Sequence, residues 1–348
     1  MDRLLIDADI ENIAQQYETN FRALGIDVPG KLRNLKKSLM ECNTKNKLTK
    51  DVLKQYCGYL ERVAQQYDDA DKTKHLLILK PDECEDYTSK YTNDFPEVKT
   101  GKSLYWHYKK KKGKRLYGAP KPFWQLVVDC MHYEKYVRPI IIPLLEKLNI
   151  RACVYCNVQY ALTINHNKGL FELDHRYPKS KYPFLCTSFY NLQPSCPSCN
   201  HSKKAATADF GLYTTKSNEL HPFHLLTLTT PYLYERTFEK DKLAINLVAQ
   251  DPHDLEACTA CSRHEHDFDI DNVYSMLKDV AEETIWRCKA YDENYRDLFF
   301  KNFPELYSRD ALYRFVFGAY SDESNVHKRP LTKLIRDIVE DMKVVIKI

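Results

Sequence analysis

Glycine is scarce in this chain, 9 of 348 residues, and methionine and tryptophan number only 5 and 3. So little glycine excludes collagen-like and low-complexity architectures, and neither an internal repeat nor a flexible linker interrupts the sequence. A Gly-rich phosphate-binding loop is also missing, so any ATP-driven step connected with this protein belongs to another polypeptide. No segment reaches the roughly 18 apolar residues of a membrane span. The opening residues, "MDRLLIDADIEN", carry carboxylates where a secretory signal would be basic and then apolar. A soluble, cytoplasmic chain with reduced thiols is expected. An excess of one charge is lacking too: 52 Lys and Arg against 48 Asp and Glu leave a formal net charge of +4. Total charge therefore says little about nucleic acid, and only clustering can.

What is present is 43% hydrophobic residues and 12 cysteines, enough for a substantial core. In a reducing compartment, closely spaced cysteine pairs read as metal ligands rather than disulfides. Amphipathic spacing predicts helices over about Asp9 to Leu24 with Gly25 as a stop, Pro29 to Cys42, and Thr49 to Tyr67 with Thr49 as N-cap. From Lys80 to Lys121 that period is lost, and a loop or hairpin is expected. Within it, "SLYWHYKKKKGKRLYGAPKP" places Lys109, Lys110, Lys111, Lys112, Lys114 and Arg115 beside Tyr105, Trp106, Tyr108 and Tyr117. Such a run is either a solvated loop or a nucleic-acid contact in which rings stack on bases and lysines track phosphates. Helical patterning returns before Cys153, and again from Asp269 onward after short strands expected around Tyr232 to Val248.

Between these helical regions, Cys153 and Cys156 open a segment that Cys196 and Cys199 close. Two Cys-x-x-Cys pairs supply the four thiolates of a tetrahedral zinc site, but their separation exceeds that of a simple zinc ribbon, so a structure folds between them. "VQYALTI" alternates as a strand, "NHNKG" turns, and "LFELD" returns, giving a hairpin that ends at Asp174-His175. "NLQPSCPSCNHSKKAA" then puts Asn191 in a loop and starts a short helix near Pro197, with Asn200, Lys203 and Lys204 on one face. Strand, strand and helix would bring Asp174, His175, Asn191 and Asn200 together.

With its cysteine frame, the combination "ELDHRYPKSKYP" and "NLQPSCPSCNHSKK" resembles the HNH, or ββα-metal, endonuclease superfamily, and within it the four-cysteine branch that includes Septu-type antiphage nuclease subunits. The resemblance covers about Cys153 to Lys204. Taken with the helical patterning on either side, it gives an expected α+β protein, mostly helical, with an N-terminal helical region (1–150) carrying the basic aromatic loop, a zinc-stabilised nuclease module (151–210), and a mainly helical C-terminal region (211–348). It further implies hydrolysis of DNA phosphodiester bonds in bacterial antiphage defence, beside an ATPase partner. His175 would be the general base, Asp174 and Asn200 would hold Mg²⁺ or Mn²⁺, Asn191 would orient the loop or the imidazole, and Lys203 or Lys204 would contact phosphate. Asparagine at position 200 replaces the final histidine of the motif's name and favours an oxygen-ligated ion.

A plainer reading keeps the cysteines as a structural zinc site in a non-catalytic nucleic-acid-binding or scaffold protein. That reading has no use for an Asp-His step at a strand end. "CTACSRHEH" leaves a second zinc site open at Cys258, Cys261, His264 and His266, although ligands this close in sequence rarely all reach one ion.

Overall fold

Side-chain caps set the first helices. Asp7 accepts from the Ile10 N–H (2.9 Å) at the start of Ala8–Arg22, Asp27 from Gly30 (2.7 Å) at Val28–Glu41, and Thr49 from Val52 (3.4 Å) at Lys50–Tyr67. Each cap satisfies a donor that the first helical turn leaves free. Gly25, at φ +63°, terminates the first of these helices as expected. The structure, a computed structural model, describes all residues except 69–74, 99, 101–104, 108–119, 166–167, 226–242, 292–294, 296–297, 299–300, 304–307 and 343–348.

The segment after Lys80 departs from expectation, because Pro81–Asp94 is a helix. Its inner face carries Cys84, Thr88 and Tyr91 besides Pro81, so the helical period is present but written in small and polar residues. Pro81 holds its first turn, and Glu83 accepts from the Lys80 N–H at 3.0 Å. Beyond this helix, Tyr105–Trp106 pairs antiparallel with Lys121–Pro122, the base of the expected hairpin. Lys109, Lys110, Lys111, Lys112, Lys114 and Arg115 lie outside the described residues.

The central hairpin also differs. Leu162–Asn165 pairs with Lys168–Leu170, whereas Glu172–His175 pairs with Leu192–Ser195. One apparent return strand thus serves two ladders and changes partner at Phe171. Arg138 holds that break, its Nη2 donating to the carbonyls of Gly169 (3.3 Å) and Phe171 (2.9 Å) while the guanidinium lies 5.3 Å from the centroid of the buried Phe171 ring. The register sets His175 opposite Leu192, directly after Asn191, and Glu172 opposite Ser195, directly before Cys196.

Toward the C-terminus the expected long helix is divided into Ile270–Ser275 and Lys278–Ala290, preceded by Leu255–Phe268. Asp269, at φ +54°, forms the first corner. Val248–Ala249 pairs with Phe223–His224, and the strand expected from Tyr232 falls mainly in undescribed residues. The main core joins the faces of the first helices (Tyr17, Leu32, Leu60) to Phe184, Phe189 and Leu192 of the central segment and to Ile285, Leu334 and Ile338. The fold is mostly helical with small sheets, and residues of all three expected regions share one buried cluster. No described helix is long and apolar enough to cross a membrane.

Candidate functional site

Both cysteine pairs form knuckles whose backbone points at sulfur. After Cys153-Val154-Tyr155-Cys156, Asn157 turns the chain at φ +54° and the Val158 N–H donates to Cys156 Sγ at 3.5 Å. At the second pair, Cys196 caps the helix Pro197–Lys203 and its Sγ accepts from the Cys199 N–H at 3.5 Å. All four sulfurs are buried and lie within 4.8 Å of one another. Tetrahedral zinc at a Zn–S distance of about 2.3 Å sets neighbouring sulfurs about 3.8 Å apart, so the donor set and its spacing fit. Burial, and then the adjacent sulfurs, push the Cys153 thiol above its ordinary range. The cluster could hold a metal ion such as zinc.

Beside this centre lies a cavity of about 390 Å³ lined by Glu172, Asp174, His175, Asn200 and Lys204, with Arg138, Lys179 and Trp124 on its other walls. His175 is buried, and its Nε2 lies 3.0 Å from the carbonyl oxygen of Cys186. A carbonyl oxygen only accepts, so Nε2 carries the hydrogen and Nδ1 keeps the lone pair. Burial, and after it the Lys179 ammonium, lowers the imidazole pKa to about 3. At neutral pH the ring is an uncharged acceptor. A π-helical turn, Tyr133–Val137, presses Tyr133 against it with ring centroids 4.7 Å apart.

Asp174 is anchored from two sides through Oδ2, which accepts from the Tyr155 hydroxyl (2.5 Å) and faces Lys203 Nζ (3.2 Å). Tyr155 sits inside the first knuckle and itself accepts from Gln193 Nε2 at 2.8 Å. The four-cysteine cluster and the Asp174 carboxylate are therefore linked through Tyr155. Burial raises the carboxyl pKa, with Lys203 and Tyr155 pulling it back. Asn200 donates from Nδ2 to Glu172 Oε2 at 2.8 Å, which turns its Oδ1 away from that carboxylate. Glu172 was missed in the sequence, although its position two residues before Asp174 on one strand places both on the same face.

Lys203 corrects an expectation. Its side chain is fully buried, and besides Asp174 it donates to the carbonyls of His175 (2.8 Å) and Ala206 (3.0 Å). The ammonium is an internal strut, not a surface contact for phosphate. Lys204, at φ +53°, is exposed on the cavity rim instead. Asn191 does not line the cavity. Its Nδ2 donates to Tyr177 O (3.1 Å) and Leu185 O (3.0 Å), and its Oδ1 accepts from the Tyr177 N–H (2.8 Å), which clasps the loop running from His175 to Cys186.

Cys258, Cys261, His264 and His266 all fall on the helix Leu255–Phe268 and form no convergent ligand group among the described residues. His264 is instead buried, with Nε2 donating to Tyr155 O at 2.9 Å. A different grouping, His224, Asp337 and Glu340, does converge. There the Lys333 ammonium stands 2.9 Å from Asp337 Oδ1 and the Leu225 N–H 2.8 Å from Oδ2. A resident cation already balances that carboxylate, so the group reads as an ion-pair network.

The site is thus a four-thiol centre joined through Tyr155 to a cleft holding a neutral histidine, three carboxylates (Glu134, Glu172 and Asp174), a carboxamide and a basic rim on which Lys179 is paired with Glu134. No family model, curated protein or solved structure matches the chain.

Proposed function

We propose that this protein is a metal-dependent HNH-type endonuclease that hydrolyses DNA phosphodiester bonds. The observation that carries the reading is the convergence of Asp174, His175 and Asn200 on one cavity, on a strand, strand and helix unit pinned by four cysteines. Zinc in the cysteine centre is structural in this reading, because four protein ligands leave no position for substrate.

Asp174 and Asn200 would hold Mg²⁺ or Mn²⁺, which would stabilise charge developing on the phosphate and the leaving oxygen. His175 Nδ1 removes a proton from water, the resulting oxygen bonds to phosphorus, and the ester P–O bond breaks in line with that attack. The Cys186 carbonyl keeps the imidazole in the needed tautomer, and its bond to Nε2–H strengthens as the ring gains charge. Lys204, Lys179 and Arg138 supply cationic walls for the backbone of the nucleic acid. A role as effector of a bacterial antiphage system beside an ATPase partner rests on the sequence resemblance alone.

Supercoiled plasmid incubated with the purified protein should be nicked or linearised with Mg²⁺ or Mn²⁺ and stay intact with chelator. His175→Ala should lose cleavage while retaining bound zinc and its melting temperature. Undiminished cleavage by that variant would remove His175 from the mechanism. A zinc-loaded protein that binds DNA but never cuts it, even with its copurifying partners, would favour the non-catalytic zinc-dependent reading.

A further inference from the structure

A group of basic side chains surrounds the short turn Tyr133–Val137, outside the catalytic cleft. Tyr133, Glu134 and Arg138 line the cleft, whereas His132, Lys135 and Tyr136 do not and meet one another instead. The His132 and Tyr136 rings stand 5.7 Å apart by centroid, and Lys135 Nζ lies 4.8 Å from the centre of the Tyr136 ring. Lys31, from the helix Val28–Glu41, hydrogen-bonds through its ammonium to His132 Nε2. An ammonium only donates, so Nε2 accepts and Nδ1 carries the imidazole hydrogen. His132 itself is left-handed, at φ +57°, between the helix Phe123–Met131 and the π-helical turn, a form of turn found often at functional sites.

Positive charge collects here without a counter-charge. Asp129 is taken up by Lys121 Nζ at 2.6 Å, and Glu134 by Lys179 Nζ at 2.5 Å. Exposed Lys31 and Lys135 meet no carboxylate within ion-pair distance among the described residues. Burial, and then these two ammonium groups, hold the His132 imidazole below its ordinary pKa against the pull of Asp129. Beyond the Asp27 cap, Lys31 lies in the first turn of its helix, which carries no acidic residue and whose dipole already favours an anion. A surface ion pair would tie these elements together with no charge to spare. Two ammonium groups around a neutral imidazole leave charge for an anion from outside.

We propose that Lys31, His132 and Lys135 form a patch that grips the backbone of the nucleic acid cut in the adjacent cleft, at phosphates beyond the scissile one. The inference rests on the nuclease reading of that cleft and extends it to an interface. Patch and cleft share one turn, in which consecutive Cα atoms are only about 3.8 Å apart. Backbone charges recur about every 3.4 Å along each strand of a duplex, so a strand held in the cleft reaches the patch within a few nucleotides. A single small phosphate ester offers no charge there. An acidic peptide offers charge but nothing for the cleft. Contacts of this kind fix the position of the strand and carry no base preference.

The test is a salt titration of DNA binding by the full-length His175→Ala protein, without divalent metal so that nothing is cut. Fluorescence anisotropy would follow two labelled duplexes of unrelated sequence, with Lys31→Gln, Lys135→Gln and the double variant made in that background. Each phosphate contact contributes about 0.9 to the slope of log affinity against log salt, so each single variant should flatten the slope by about one and the double variant by about two. Between about 50 and 200 mM salt the double variant should therefore lose about tenfold less affinity than its parent, equally on both duplexes. Lys135→Gln keeps the test usable if Lys31→Gln does not fold, judged by melting temperature and zinc content. An unchanged slope in the double variant, or in Lys135→Gln where it alone folds, would overturn the patch and leave plasmid cleavage to judge the nuclease reading separately. Loss of poly-glutamate binding with DNA binding untouched would overturn it too, in favour of an acidic protein. A wild-type protein that neither binds these duplexes nor cleaves plasmid would remove both readings.

Discussion

Glu172 determines how the Asn200 carboxamide is turned. Oxygen and nitrogen of that group have nearly the same shape, and only the carboxylate 2.8 Å from Nδ2 distinguishes them. Glu172→Ala should therefore lower cleavage and raise the Mg²⁺ concentration needed by roughly 10–100-fold, the usual cost of losing a group that orients a metal ligand. Glu172→Gln, whose Oε1 can still accept, should restore most of it; equal loss in both variants would argue against orientation. Lys203 acts at the same scale by a different route. Asp174 and Lys203 side chains are 7% and 0% exposed, so Lys203→Ala strands a buried carboxylate and should destabilise the protein by roughly 3–5 kcal/mol. Urea denaturation measures this. Unchanged stability with weaker, less salt-dependent DNA binding would return Lys203 to the role expected from sequence, a phosphate contact.

Among elements, the knuckles and the paired strands act as one unit. Tyr155 belongs to the first knuckle and grips Asp174, while the second knuckle begins right after the strand Leu192–Ser195 and starts the helix that carries Asn200. Loss of metal should thus disorganise the cleft as well as the centre. Cys196→Ala is expected to purify without zinc, unfold at lower urea and show no cleavage, because metal binding and local folding are coupled. A stable, active, zinc-free variant would show that the cysteines do not hold a structural ion. The changed pairing at Phe171 has its own consequence: it leaves Leu162–Asn165 and Lys168–Leu170 as a separate ladder, with Ile164 and Leu170 exposed, and leaves the Glu172–His175 strand free to meet Asn191's neighbour Leu192.

Across the whole molecule, buried histidines set the response to acid. His175 and His264 are held at a pKa of about 3 and His327 at about 4, in each case chiefly by burial. An unfolded histidine titrates near 6.5, so between that value and the folded pKa the unfolded chain binds more protons. Stability should therefore fall on acidification below about pH 6.5, by about 1.4 kcal/mol per pH unit for each such group. His221 acts oppositely. Its pKa is raised by its hydrogen bond to Asp2 against the effect of burial, so its contribution is full below pH 6.5 and is lost as pH rises through the folded value. Denaturation from pH 4.5 to 6.5 should show a steep net loss toward acid, and His327→Gln should flatten the slope by one proton. An unaltered slope would mean that the His327 imidazole is protonated in the folded state.

Local chemistry wrote much of this protein into its sequence. The Thr49 cap, the Gly25 stop, the two knuckles and the strand and helix bearing Asp174, His175 and Asn200 all depend on residues within a few positions of one another. Periodicity failed at Pro81–Asp94, where Cys84 and Thr88 stand on the buried face instead of large apolar side chains. Tertiary structure alone decided which strand pairs with Glu172–His175, that Lys203 turns inward, and that Glu172 rather than solvent meets Asn200. Ladder partners and buried charges are chosen by segments distant in the chain, through register and desolvation, and neither quantity exists until those segments have packed.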